Sequence, residues 1–494
     1  MRVLIIGAGW AGLAAAVEAT RLGHQVAVHE AARALGGRAR AVPVALPDGS
    51  QALLDNGQHI LIGAYSETLK LMRDMGVDTA SALLRLPLTL RYPDGGGLAL
   101  PDWPRPWFAG VDVAVGIMQA KGWSLLDKLS LLRAADSWRR AGFSCPAHTT
   151  VAQLCQGISA RVMAEMIEPL VVSALNTPAS RASASVYLRV MRDALFAPSA
   201  AATGSSTNDT VAGSNMLLPR QDLSQLFPAA AAQWLKAHGA SLLQGARVAS
   251  LLEDQPPLSS LLKTEQTIEY PHRKSAYFFS KYDRIVIATP APEAARLVRT
   301  LTHHGNETDI DSNNDSAANN ELSTDDIAKA LVWAACAEAL QHEAIATVYA
   351  TSAAWAKAAL LSGAQGAQTG ATAKPPVIAL RSNASQPAQF VFDRGPLTGH
   401  HGLLAFVVSA SVGDAATLEQ QVVAQGRSQL GLPDLQAVKT IVEKRATFAC
   451  TPGLARPTQQ IAGKLLACGD YVDGPYPATL EGAVRSGLAA ARAI

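Results

Sequence analysis

The chain has 494 residues, 49% hydrophobic and 17% charged, with 42 basic and 40 acidic side chains for a formal net charge of +2. Such a length excludes a disulfide-stapled mini-protein and predicts about two to four domains or one large composite, and the hydrophobic share excludes wholesale disorder. The near balance of charge gives no support for electrostatic binding to nucleic acid, which is not expected as a partner.

Five cysteines without a C-x-x-C pair argue against a disulfide framework or a zinc site, so no metal is expected and the reducing cytoplasm is the expected compartment. Glu18 ends the first apolar run and Asp112 interrupts Phe108–Ala120, so neither reaches the ~18 residues of a membrane span. The apolar start lacks a basic leader and a cleavage signal, and reads as a buried strand entering a helix.

That start carries the first chemistry. The Val3–Ile6 run predicts a strand buried on both faces, and Gly7-Ala8-Gly9-Trp10-Ala11-Gly12 follows at once. Leu13–Leu22 predicts a helix, and Gln25–His29 a second strand ending at Glu30, 18 residues after Gly12. Strand, glycine turn, helix, strand and acid in this order form the dinucleotide fingerprint. Gly7 allows a tight turn, Gly9 a close pyrophosphate and Gly12 close helix packing, while the helix start offers N–H groups to phosphates and Glu30 accepts from ribose hydroxyls. Gly36-Gly37-Arg38 follows, two glycines permitting backbone approach and a guanidinium able to bridge phosphate oxygens.

Farther along, Ala52–Leu54 predicts a strand before Asp55-Asn56-Gly57-Gln58-His59. Trp103–Phe143 mixes Trp, Leu and Met with Lys121, Lys128, Arg133, Arg139 and Arg140, a pattern of amphipathic helices that cover a domain or lie on a membrane surface. Arg247–Ala249 and Asp283–Pro290 predict strands of the nucleotide-binding sheet, the second running into a loop, and Ala346–Tyr349, Val377–Leu380, Gln389–Phe392 and Leu403–Ser409 predict strands of another sheet. Near the C-terminus, a Lys464–Ala467 strand, a Gly469-Asp470 turn and a helix with its N-terminus at Thr479–Leu480 could bind a ribityl or phosphate-adjacent hydroxyl and aim a helix dipole at a flavin.

Together, Gly7–Gly12, Glu30, Gly36-Gly37-Arg38 and Gly469-Asp470 with Leu480-Glu481-Gly482-Ala483 resemble the FAD-dependent amine oxidase and carotenoid desaturase superfamily. Asp55–His59, Ala174–Pro178, Leu217–Arg220 and Phe390–Gly395, in this order, are similar to the hydroxysqualene dehydroxylases of bacterial hopanoid synthesis. The resemblance covers nearly the whole chain, apart from insertions at Ala197–Ser214, Asp254–Tyr277, Thr302–Asp326 and Ser362–Lys374.

The resemblance implies an α/β fold with a Rossmann-type FAD-binding domain from residues 1–65, 217–301 and 456–494. An interleaved α+β substrate domain, helical at first, takes 66–216 and 324–455, with 302–326 a disordered loop. It implies FAD as cofactor, Val248 against the adenine, and reductive removal of the allylic hydroxyl of hydroxysqualene, a hydrophobic C30 isoprenoid, to give squalene. A membrane surface is the expected route for that substrate, with the protein peripheral on the inner face. The reductant of the flavin is not named by any residue. Hydroxide leaves poorly, so an acid or hydroxyl binder is required. His59 is the candidate, with Gln58 and Asn56 orienting it, and Gly57, Gln58 and His59 stand equally as a platform that packs under the flavin. Asn176 and Tyr476 are further candidates for the hydroxyl or a developing cation. A desaturase or amine oxidase taking hydride from its substrate, and a flavin-free prenyl-lipid escort, are the alternatives.

Overall fold

The computed structural model describes residues 1–47, 49–102, 110–196, 212–251, 281–304, 322–358 and 375–494. Two compact units divide the chain, the first formed by Met1–Gly37, Pro228–Leu340 and Ala455–Ile494, the second by Arg38–Phe227 and Gln341–Leu454.

In the first unit a six-stranded sheet runs in the order Ser241–Gln244, Gln25–Glu30, Arg2–Ile6, Arg284–Ile287, Leu465–Ala467 and Gln460–Ala462. The first five are mutually parallel and the edge strand is antiparallel. Val3–Ile6 and Ile285–Ile287 are buried because helices cover both faces of such a sheet. Helix Trp10–Arg21 packs against helix Leu480–Arg492. Gly487 makes that crossing possible, since a Cβ there would sit 2.2 Å from the Ala11 carbonyl oxygen. Sequence-distant stretches are thereby joined in one layer.

The second unit holds a five-stranded antiparallel sheet ordered Val377–Ala379, Phe390–Asp393, Leu403–Ser409, His342–Thr351 and Gln436–Phe448. Val348, Val391, Leu404 and Phe406 pack against Leu418 and Val422 of helix Ala415–Leu430, burial that supplies ~1.5–3 kcal/mol per large side chain.

Three expectations are corrected. The stretch 38–65 belongs with the second unit, because Leu61–Ile62 pairs with Met216–Leu217 and Leu223 donates its N–H to Asp55; the same bonds carry 217–227 there. Helix Thr324–Glu338 belongs with the first unit, tied by Arg299 to Glu338 at 2.6 Å and by Trp333 Nε1 to the Thr458 carbonyl at 2.7 Å. Arg247–Ala249 is not a strand. Gly245 turns the chain at φ +71°, and the Val248 and Ala249 carbonyls accept from the Arg296 side chain instead of from a sheet neighbour.

The segment 66–216, expected to be mostly helical, also contains the short strands Leu83–Leu86, Thr89–Arg91 and Gly97–Ala99. Of the expected loop 302–326, residues 302–304 lie in a 3₁₀ turn and Thr324–Asp326 open a helix capped by Ser323; 305–321 fall outside the described residues. So do Trp103, Trp107 and Phe108, and most of the other three insertions.

Candidate cofactor and substrate site

The first unit carries the dinucleotide elements. Gly7 takes φ +108°, and a Cβ there would stand 2.8 Å from the Ala288 carbonyl oxygen; at Gly12 it would stand 1.9 Å from that of Gly7. Only glycine fits either place, for the turn and for close helix–strand packing respectively. Gly36 is bridged to Gly9, its N–H donating to the Ala8 carbonyl at 3.0 Å, and a Gly37 Cβ would lie 3.2 Å from the Gly9 Cα. The glycine pair is thus laid directly on the Gly7–Gly12 loop. Gly9 caps helix Trp10–Arg21 without a side chain, and no acid stands in its first turn, as an anion site requires.

Glu30 ends the second strand with Oε2 accepting from Ala8 N–H at 2.6 Å and Oε1 from Ala32 N–H at 2.8 Å. The carboxylate is therefore held at the edge of the glycine loop. Gly469-Asp470 forms the turn after the Leu465–Ala467 strand, with Asp470 buried and its carbonyl accepting from Ala478 N–H. Thr479 caps helix Leu480–Arg492 by accepting from Gly482 N–H at 3.0 Å. In the first turn, Glu481 is fully buried and bonded to Arg485 at 2.7 Å, so a carboxylate beside the helix start offsets part of its dipole. Tyr476 takes φ +58°, lies under the Arg485 guanidinium at 5.2 Å, and gives its carbonyl to Thr479 Oγ1. These contacts make it a shaper of the turn before the helix. The glycine cradle, the ribose acid and the capped turn fit a dinucleotide.

The second unit contains the Asp55–His59 segment, and here the structure reveals residues the sequence reading passed over. Asp55 and Arg394, each 1% exposed, face one another with Oδ2 and Nη2 3.8 Å apart. Arg394 Nη1 donates to Gln58 Oε1 at 2.7 Å, Gln58 Nε2 donates to Tyr349 Oη at 2.6 Å, and the Tyr349 hydroxyl donates to the Asp55 carbonyl at 2.8 Å. The order of protons is forced. A guanidinium cannot accept, so the Gln58 oxygen must face it, and its amide nitrogen must face the phenol. Burial pushes the Asp55 carboxyl up to about 6, against the opposing pull of Arg394 and the Leu223 N–H. Burial and the Asp55 charge likewise raise Tyr349, which keeps its proton.

This network changes the roles within the motif. Gln58 is engaged at both ends of its amide and orients the segment, not the His59 ring. Asn56 bonds the Arg38 carbonyl and the Arg40 N–H, stitching the motif to the preceding chain, and Arg38 Nη1 donates to the Ala446 carbonyl at 2.8 Å. His59 Nδ1 lies 2.8 Å from the Gly57 carbonyl oxygen, so Nδ1 carries the proton and Nε2 is left as the acceptor of the neutral ring. Burial lowers the His59 pKa, Arg38 adds to this, and only the Gly57 bond opposes it. The ring is neutral at pH 7, which favours hydroxyl binding over a resident proton.

Asn176 is corrected outright. It is buried at φ +46° as the cap of helix Glu168–Leu175, with Nδ2 donating to Thr447 Oγ1 at 3.0 Å and to the Glu343 carbonyl, and Oδ1 accepting from Ala410 N–H. Its polar atoms are spent on joining helix to sheet. The signals that could have found the missed residues were weak: Asp55 and Arg394 stood within motifs already singled out, but Tyr349 was one aromatic in a predicted strand.

With this geometry established, four similarities bear on it. The chain is 26% identical over 299 residues to the hydroxysqualene dehydroxylase of Zymomonas mobilis subsp. mobilis, covering 58% of this chain and 61% of that protein. It is 25% identical over 311 residues to that of Sinorhizobium fredii, covering 60% and 64%. It thus spans about three fifths of the length of these curated relatives. An oxidoreductase from Methanosarcina mazei shares the fold, with a TM-score of 0.59 at 14% identity over 99% of both chains. The family model for flavin containing amine oxidoreductases matches residues 10–312. The chain therefore belongs to the flavin containing amine oxidoreductase family and is an FAD-dependent oxidoreductase.

Proposed function

We propose that the protein removes the allylic hydroxyl of hydroxysqualene reductively, giving squalene and water. The reading is supported above all by similarity to two hydroxysqualene dehydroxylases over about 300 residues. Gly7–Gly12, Glu30, Gly36, Gly37, Asp470 and the Thr479–Leu480 helix start hold the FAD. When bound and reduced, it supplies the hydride that replaces the hydroxyl on carbon.

The rest falls to the protein. Neutral His59 accepts the substrate O–H at Nε2 and orients the C–O bond. Departure of water needs one proton, and the imidazolium form of the same ring delivers it while the Gly57 carbonyl retains the Nδ1 proton. Because burial holds the His59 pKa below 6.5, that form is the minor one at pH 7, and turnover rises as pH falls toward the lowered pKa. Asp55, Gln58, Tyr349 and Arg394 position the segment that bears the ring.

The test is anaerobic incubation of the reduced holoenzyme with hydroxysqualene, following squalene by chromatography. Unchanged substrate, or more unsaturated products from the oxidised enzyme, would replace this reading with that of a desaturase. His59→Ala is expected to retain FAD and lose roughly 100-fold in turnover. Wild-type turnover in that variant would remove His59 from the chemistry.

A further inference from the structure

Nine large hydrophobic side chains are exposed among the described residues, and four of them fall within 16 positions: Val111 at 41%, Met118 at 45%, Leu125 at 62% and Leu126 at 77%. Scattered exposed apolar residues need no explanation, but a cluster does. The four sit on two helices, Val111–Met118 and Leu125–Arg140, which pack against each other. Val113, Ile117, Leu131 and Trp138 already fill the buried faces of this pair. The exposed four are therefore additional to the core stripe and not part of it.

The corner that presents them is firmly built. Ser124 and Asp127 form a reciprocal cap, Lys128 Nζ donates to the Met118 carbonyl at 2.9 Å, and Arg161 Nη1 donates to the Gly122 carbonyl at 2.6 Å. Gly97 and Lys121 exchange backbone hydrogen bonds at 2.9 and 3.0 Å. Charge around it is one-sided. Five basic residues fall in 111–140 against three acids, of which Asp112 is buried, Asp127 is committed to the cap and Asp136 is paired with Arg140, leaving an excess of positive charge. An apolar corner flanked by Lys121 and Lys128 complements a surface with an oily interior and anionic headgroups.

We propose that this helical corner docks the protein on an anionic lipid bilayer, with Met118, Leu125 and Leu126 entering the acyl boundary and Lys121 meeting headgroups. The inference leans on the proposed isoprenoid substrate for its purpose, collection of a bilayer-dissolved molecule, and not for the binding itself.

The experiment is co-sedimentation of the holoprotein with vesicles of phosphatidylcholine alone or mixed with phosphatidylglycerol. Binding to the mixed vesicles is expected to weaken with added salt. The Leu125→Ser/Leu126→Ser variant should bind roughly tenfold or more weakly, and Lys121→Gln about fivefold more weakly on the mixed vesicles alone. Flavin absorbance and unfolding temperature should match wild type in both, and so should turnover of detergent-dispersed hydroxysqualene. Absence of wild-type binding, or undiminished binding by the leucine variant, overturns the proposal. A leucine variant that turns a dimer into a monomer while vesicle binding is unchanged assigns the patch to self-association and also overturns it. Vesicle binding as described without any dehydroxylation leaves the surface standing and removes the substrate reading.

Discussion

Asp55→Asn isolates the one buried carboxylate that organises the motif. In the folded protein the Asp55 carboxyl is raised from an ordinary 3.8 to about 6, because burial outweighs the attraction of Arg394. A raised carboxyl binds its proton more tightly folded than unfolded. Its contribution to stability is present below about pH 4 and is lost as pH rises through 6. The full loss is about 3 kcal/mol, of which about 2 kcal/mol falls between pH 4.5 and 7.5. Asparagine keeps the shape and the acceptor for Leu223 N–H but does not titrate. Urea unfolding of both proteins across this pH range should show wild type losing about 2 kcal/mol relative to Asp55→Asn, with the change flattening above pH 7. A constant difference would refute the raised carboxyl. A difference growing in favour of wild type with pH would mean that Arg394 wins over burial and holds the group ionised.

Gly487→Ala forces a methyl toward the Ala11 carbonyl oxygen and separates the two helices that join the distant chain segments; a stability loss of ~3 kcal/mol or more, with FAD released at lower temperature, is expected by calorimetry and flavin fluorescence. Asn176→Ala strands the Ala410 N–H and places alanine at positive φ; it should cost about 2–4 kcal/mol in denaturant unfolding while leaving turnover of the folded fraction unchanged. Glu30→Ala removes the acceptor of the Ala8 and Ala32 N–H groups and the acceptor proposed for the FAD ribose; FAD affinity measured by equilibrium dialysis should fall roughly tenfold or more.

The nucleotide-binding half was legible in the residues because its determinants are local. A glycine at Gly7 or Gly12 reports a backbone approach that no other residue tolerates, and a run such as Val3–Ile6 reports burial on both faces. Strand Leu403–Ser409 was likewise delimited by its own composition. Boundaries between units were less legible, since whether Arg38–Tyr65 joins one unit or the other depends on partners far along the chain. The substrate-side site was the least legible. Asp55, Gln58, Tyr349 and Arg394 stand up to 339 positions apart, and nothing in the spacing says that an arginine will fix an amide which fixes a phenol. Asn176 was misread for the same reason: an asparagine that caps a helix and one that binds a ligand look alike until the fold supplies, or withholds, its partners.

Sequence alone determined the cofactor class and the layered α/β architecture, because both follow from short-range sterics and hydrophobic periodicity. Tertiary structure alone decided the protonation of Asp55 and His59, the roles of the polar side chains, and which leucines face water. Those depend on desolvation and on hydrogen-bond partners that exist only once remote segments have been brought together.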